Sequence, residues 1–279
     1  METNIKPDVL AKLDKLPPLP GTMLDLVRSF NDEDINVADL AKKIGRDPLL
    51  TVRVLKVVNS PFYGLDGEVS SLPEAVMVLG FSNVRSLALA ASLTGAFPLP
   101  PHGASEARHL WIHSFCCAIC AQLLAPRVQV DAETAFTAGL LHDIGRIALL
   151  ALYPAQFEEI MTLTTEQGVD LEAAEERVLG FNHGTFGARL LERWHLPTKL
   201  VRAAEFHHTP DIEPTSRLTD LINVSSIFAH ACERHTLYQL LSTAPPNGAI
   251  MRLGLTRTQC ADALETVDAQ LASISAVLS

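Results

Sequence analysis

Helix starts recur along this chain, each with a capping side chain set directly ahead of apolar residues at helical spacing, and no other feature restricts the fold as strongly. Asn36 precedes Val37-Ala38-Asp39, an N-cap with an acid in the first turn. Asp47-Pro48 repeats the logic, with proline at a first helical position where its missing N–H costs nothing. Ser71-Leu72-Pro73-Glu74 reads as a capping box with a first-turn proline. From Gly21 on, Met23, Leu24, Val27 and Phe30 recur at helical spacing, as do Leu50, Val54, Leu55 and Val58 behind Asp47. Leu16-Pro-Pro-Leu-Pro20 sets an extended connector, Ser60-Pro61-Phe62-Tyr63-Gly64 stops a helix, and Gly80 separates the helix after Ser71 from one through Val84–Leu93. Strand-type alternation never persists beyond a few residues, so the expected fold is all-α.

Phe97-Pro-Leu-Pro-Pro-His-Gly103 carries three prolines and a glycine in seven residues, which ends one unit and starts another. The expected organisation is two packed helical subdomains, an N-terminal bundle over 1–100 and a second over 104–279. In the second, helices are expected over about 105–125, from Asp131 through Leu150 as one apolar run, over 154–167, 170–180 and near 183–194, 198–208 and 217–232. A C-terminal pair follows near 236–242 and 256–278. At 279 residues the chain is comfortable for two cores, and 48% hydrophobic against 6% aromatic residues implies helices packed through aliphatic side chains.

Charge narrows the function classes. With 32 acidic and 22 basic residues the net charge is −10, and Lys42-Lys43-Ile44-Gly45-Arg46 is too short a basic run to make a nucleic-acid face, so no nucleic acid is expected as partner. The N-terminus Met1-Glu-Thr-Asn-Ile-Lys-Pro7 lacks a signal-peptide pattern, and no uninterrupted apolar window is long enough to span a bilayer. A cytoplasmic location without a membrane partner is therefore expected. Cys116, Cys117, Cys120, Cys232 and Cys260 are odd in number and lack framework spacing; Cys117-x-x-Cys120 has no second pair, so small buried thiols are expected.

Nine of the ten histidines lie after the linker. His109 and His113 are four apart and share a helix face. His142 and Asp143 are adjacent in the apolar stretch Gly139-Leu-Leu-His-Asp-Ile-Gly-Arg146, where two polar groups need a metal ion or a tight hydrogen-bond network. His183 opens another helix and His207-His208 close one. Imidazole and carboxylate together suit zinc, iron or manganese, and a metal-bound water can act as hydroxide on a phosphoester. His102, His195, His230 and His235 read as ordinary capped or hydrogen-bonded residues.

With these residues in place, the chain resembles HDOD proteins, the HD-related output domain of bacterial signalling. The resemblance rests on Leu16-Pro-Pro-Leu-Pro20, Asp47-Pro-Leu-Leu-Thr-Val-Arg-Val-Leu-Lys-Val-Val-Asn-Ser-Pro-Phe-Tyr-Gly64 and Ser71-Leu-Pro-Glu-Ala-Val-Met-Val-Leu-Gly80 in the first half. In the second it rests on Leu110-Trp-Ile-His-Ser114, Ala138-Gly-Leu-Leu-His-Asp-Ile-Gly-Arg146 and Leu190-Leu-Glu-Arg-Trp-His-Leu-Pro197. The second half is also similar to the wider HD superfamily of metal-dependent phosphohydrolases, whose ligands are a His, the His-Asp pair and a later Asp. The resemblance implies a metal set of His113, His142, Asp143, His183, His207 and His208, with His109 an additional candidate where the cyclic-dinucleotide phosphodiesterases have an acid. The later Asp is replaced: that position reads Ser226, and Asp220, six residues earlier, faces about 120° away and lies roughly 9 Å back along a helix.

The reading that follows is a signalling output or adaptor module with a signalling protein partner, an HD-type metal or ligand pocket and no catalytic turnover, so no catalytic residues are assigned. The alternative is a metal-dependent phosphohydrolase for nucleotides or cyclic dinucleotides, with Arg146 or Lys199 meeting phosphate and iron, manganese or zinc as the ion.

Overall fold

A computed structural model of the chain describes residues 21–29, 36–59, 63, 65, 67–93, 97, 99–101, 103–212, 216–233 and 248–277. The Leu16–Pro20 connector, His102, His235 and the 236–242 helix lie outside these. Among the described residues the fold is helical throughout, without strands. The first half holds α1 (Gly21–Arg28), α2 (Val37–Gly45), α3 (Pro48–Val58), α4 (Leu72–Leu79) and α5 (Phe81–Leu93). The second holds α6 (Gly103–Leu124), α7 (Ala132–Leu141), α8 (Ile144–Leu152), α9 (Pro154–Gln167), α10 (Leu171–Leu179), α11 (His183–Arg193), α12 (Thr198–Phe206), α13 (Arg217–Glu233), α14 (Gly248–Leu253) and α15 (Arg257–Val277).

The caps act as the sequence implies. The Asn36 side chain accepts from the Asp39 N–H at 3.0 Å, and Asp47 accepts from the Leu49 and Leu50 N–H groups at 3.0 and 3.1 Å. Ser71 accepts from Glu74, whose carboxylate reaches back to the Ser70 N–H at 2.9 Å. Gly80, at φ 86°, turns the chain between α4 and α5 in a conformation that side-chain-bearing residues avoid.

One continuous apolar core runs through both halves. Where α5 packs on α7, Ser86 Oγ and Thr137 Oγ1 are 2.6 Å apart, and Gln122 of α6 donates to Asn83 Oδ1 of α5 at 2.8 Å. α6 runs through the second half, packed by α7, α13 and α15, and all five cysteines are buried free thiols. Two segments, Gly103–Val128 and Ala132–Leu152, are long and apolar enough by composition to cross a membrane, but 72% and 83% of their apolar windows are buried inside the fold.

The run from Asp131 to Leu150 is not one helix. It ends at Leu141, turns through His142 and Asp143, and restarts at Ile144. The apolar spacing carries across the turn because α7 and α8 both bury their faces in the same core, so periodicity alone does not reveal the break.

Candidate metal centre

Close helix crossings set the positions of the polar groups. A side chain at Gly139 would lie 2.6 Å from Ala118 Cα, so only glycine lets α7 lie against α6, which carries His113. A side chain at Gly145 would lie 2.0 Å from the His183 carbonyl oxygen; its absence brings the start of α8, and Asp143 beside it, against the start of α11. Asn182 caps α11 by accepting from the Thr185 N–H at 2.9 Å and so fixes His183 at its first position. His207 stands just past α12, and Asn223 of α13 donates to its carbonyl at 2.6 Å.

Asp143 is the hub. Its Oδ1 lies 3.3 Å from His183 Nε2, 3.3 Å from His207 Nε2 and 3.6 Å from His142 Nε2, and its Oδ2 lies 3.9 Å from His113 Nε2. His208 Nε2 is 3.1 Å from His183 Nε2. Asp143, His183, His207 and His208 form one group with metal-ligand spacing, and His113, His142 and Asp143 form another.

The protonation pattern fits a cation. His142 Nδ1 donates to the Gly139 carbonyl at 2.7 Å and His207 Nδ1 donates to the Ala204 carbonyl at 2.8 Å. A neutral ring that donates from Nδ1 has a bare lone pair on Nε2, so both rings aim lone pairs at a carboxylate oxygen. Burial holds His142 down to about 3 and keeps His207 well below its ordinary range, so both are neutral near pH 7. Burial opposes the charge on Asp143, but the imidazoles around it, among them the protonated His183, hold its carboxyl well below the usual range. His142 Nε2 and Asp143 Oδ1 are both buried without a hydrogen-bond partner. Buried acceptors turned on one another are costly unless a cation lies between them, and neutral imidazoles with an ionised carboxylate are the donor set of a first-row divalent metal.

A second layer orients these groups. Glu175, on the acidic helix α10, is buried, and one of its oxygens accepts from both the N–H and Nδ1 of His183 at 2.8 and 2.7 Å. Burial opposes the His183 charge, but Glu175 and then Asp143 outweigh it and raise the ring to about 10. Glu172 holds the half-exposed His208 at 2.9 Å. Neither acid carries a sequence signal beyond its place on α10. His230, read as ordinary, and Glu233 stand beside His113: the two rings stack with centroids 4.1 Å apart, and Glu233 Oε1 is 3.3 Å from His113 Nδ1.

The remaining candidates scatter. Ser226 Oγ lies 3.3 Å from His113 Nε2, and Asp220 is committed elsewhere, chelated by Arg252 with its Nε 3.0 Å from Oδ2. Arg146 is buried with Nη1 3.3 Å from Asp143 Oδ2, at the edge of the centre. His109 is exposed and joins none of the ligand groups among the described residues. Lys199 donates to Thr134 Oγ1 at 3.0 Å. That places it at the first turn of α7 and of α12, about 12 Å of helix from the ends that carry His142 and His207.

Comparison with known proteins gives a consistent family. The HDOD domain profile matches residues 16–210. A proposed phosphohydrolase from Shewanella amazonensis is 28% identical with a TM-score of 0.81, covering 98% of both chains. An HDOD domain protein of unknown function from Geobacter sulfurreducens is 26% identical with a TM-score of 0.78, covering 99% of this chain and 96% of that one. An uncharacterised protein of Treponema pallidum is 25% identical over 208 residues, and the match spans 74% of this chain but only 40% of that relative.

Proposed function

The chain belongs to the HDOD family, and from that premise we propose that it is a signalling output or adaptor module that holds a divalent metal in an HD-type site without turning over a phosphoester. The observation that carries this reading is Ser226 beside His113, where the HD pattern has a carboxylate, in a centre otherwise rich in ligands. A serine hydroxyl is a weak neutral ligand, and its substitution for a carboxylate removes one negatively charged ligand from the set that would hold and position a catalytic metal. The other ligands remain sufficient to bind an ion for structure or recognition.

Protein contacts are the output in this reading. Leu49 and Val52 on α3 and Met77 on α4 stand 71, 64 and 78% exposed on two helices that pack against each other. That is apolar surface of the kind partners cover. A cytoplasmic setting and a nucleotide ligand, with Arg146 facing its phosphate, belong to the same proposal. The alternative, a metal-dependent phosphohydrolase, is favoured by the gathering of imidazoles around Asp143 and the likeness to the Shewanella protein.

One experiment separates them. The protein is loaded with manganese or iron, bound metal is counted, and nucleotide and cyclic-dinucleotide phosphodiesters are assayed. Bound metal without turnover is expected. Turnover that disappears in His142→Ala and Asp143→Ala would sink the adaptor reading, and a chain that takes up no metal would reduce the histidines to a core network.

A further inference from the structure

We propose a separate divalent-metal site formed by His113, His230 and Glu233, one to two turns of α13 beyond Ser226. It goes beyond the centre around Asp143, with which it shares His113, presented through its other ring nitrogen, and which uses neither His230 nor Glu233. Ser226, His230 and Glu233 stand at intervals of four and three residues, so they share one face of α13. That face is turned to His113 on α6: Ser226 meets its Nε2, and Glu233 Oε1 lies 3.3 Å from its Nδ1. His230 Nδ1 is 3.5 Å from Glu233 Oε2, and the three side chains offer ligand atoms within 4.8 Å of one another.

A second observation points to a ligand. His113 Nδ1 and Glu233 Oε1 face each other, yet both are buried without a hydrogen-bond partner. His113 is itself 3% exposed, so water does not compensate its ring. An ion between them satisfies both atoms at once. The His230 side chain is 39% exposed, and a rotation of its ring directs its lone pair to the same ion. Two imidazoles and one carboxylate at a partly open edge leave positions for water, which suits zinc, manganese or iron rather than a closed structural site. The carboxylate missing at Ser226 is in effect supplied again further along the same helix face, and the ion it holds sits nearer to solvent.

Cobalt(II) tests this, because its visible absorption reports ligand number and its uptake can be counted. The full chain, freed of metal by chelation, is titrated with cobalt. The expected result is an ion that Glu233→Gln and His230→Gln each remove, with its absorption band, and that His207→Gln leaves in place. Equal cobalt uptake and equal spectra in wild type, Glu233→Gln and His230→Gln would overturn the proposal. Loss in His207→Gln alone would support the Asp143 centre and overturn this one, whereas loss in Glu233→Gln and His230→Gln alone would do the reverse. Thermal melts of each metal-free variant confirm folding; both substituted residues of α13 are partly exposed at the end of a helix, and the changes preserve their approximate size.

Discussion

The Ser226 hydroxyl oxygen lies 3.3 Å from His113 Nε2, with Asp143 Oδ2 3.9 Å from that same nitrogen. A carboxylate at this position would complete the His113, His142, Asp143 group. Ser226→Asp is therefore expected to gain metal affinity and to lose metal-free stability. Ser226 is buried, and an uncompensated buried carboxylate costs several kcal/mol. Manganese at a hundred times its Kd returns about 2.7 kcal/mol to whichever form binds it. Melting temperatures measured in chelator and in manganese check this: the variant should melt lower than wild type in chelator and rise more on adding metal. An equal rise in both proteins would place the metal away from Ser226.

Metal-free stability should peak near pH 6.5. The folded chain holds His142 at about 3, so between roughly pH 6.5 and 3 the unfolded chain binds a proton that the folded chain refuses, and stability falls with falling pH. His207 acts in the same direction. His183 acts oppositely: raised to about 10, its charged contacts contribute fully below pH 6.5 and are lost as pH rises through 10. Urea midpoints across pH trace this peak. Bound metal replaces the His183 proton, so the alkaline loss should vanish in the metal-loaded protein, while the acid loss should steepen as ligands take up protons.

Glu175→Gln keeps the size of the side chain and removes the charge that orients His183 through contacts of 2.7 and 2.8 Å. Removing such an outer carboxylate typically costs 10–100-fold in metal affinity, and about that loss is expected here. Competition against a chromogenic chelator measures it. Unchanged affinity would show that His183 does not bind the ion through Nε2.

Glu175 also shows why part of the centre was hidden in the sequence. The helix caps at Asn36, Asp47, Ser71 and Asp131 are local, needing only a side chain and the next few N–H groups, and the sequence reveals them directly. His142 and Asp143 are legible because polar residues stand out in an apolar run. Glu175 lies between Glu172 and Glu176 on α10, and only the tertiary contact with His183 distinguishes it from its exposed neighbour Glu176. The turn at His142 is likewise set by helix crossings and not by a local breaker, since Gly139 and Gly145 are there for closeness of approach.

Gly145 gives the sharpest test of that closeness. A Cβ there would sit 2.0 Å from the His183 carbonyl oxygen and 2.9 Å from the Gly187 nitrogen, both backbone atoms that no rotamer change can move. Gly145→Ala must therefore separate α8 from α11. Overpacking of this kind costs about 1–3 kcal/mol, and the helix-propensity gain from alanine, about 0.5–1 kcal/mol, offsets only part of it. Gly45→Ala is the matched control: it also lies in a helix, its nearest neighbour would be Leu72 Cδ1 at 4.0 Å, and it is expected to be neutral or stabilising. Because the same displacement carries His183 away from Asp143, Gly145→Ala should weaken metal binding as well as lower the urea midpoint. Lower stability with unchanged metal affinity would mean that His183 is held by α10, through Glu175, and not by the crossing of α8 and α11.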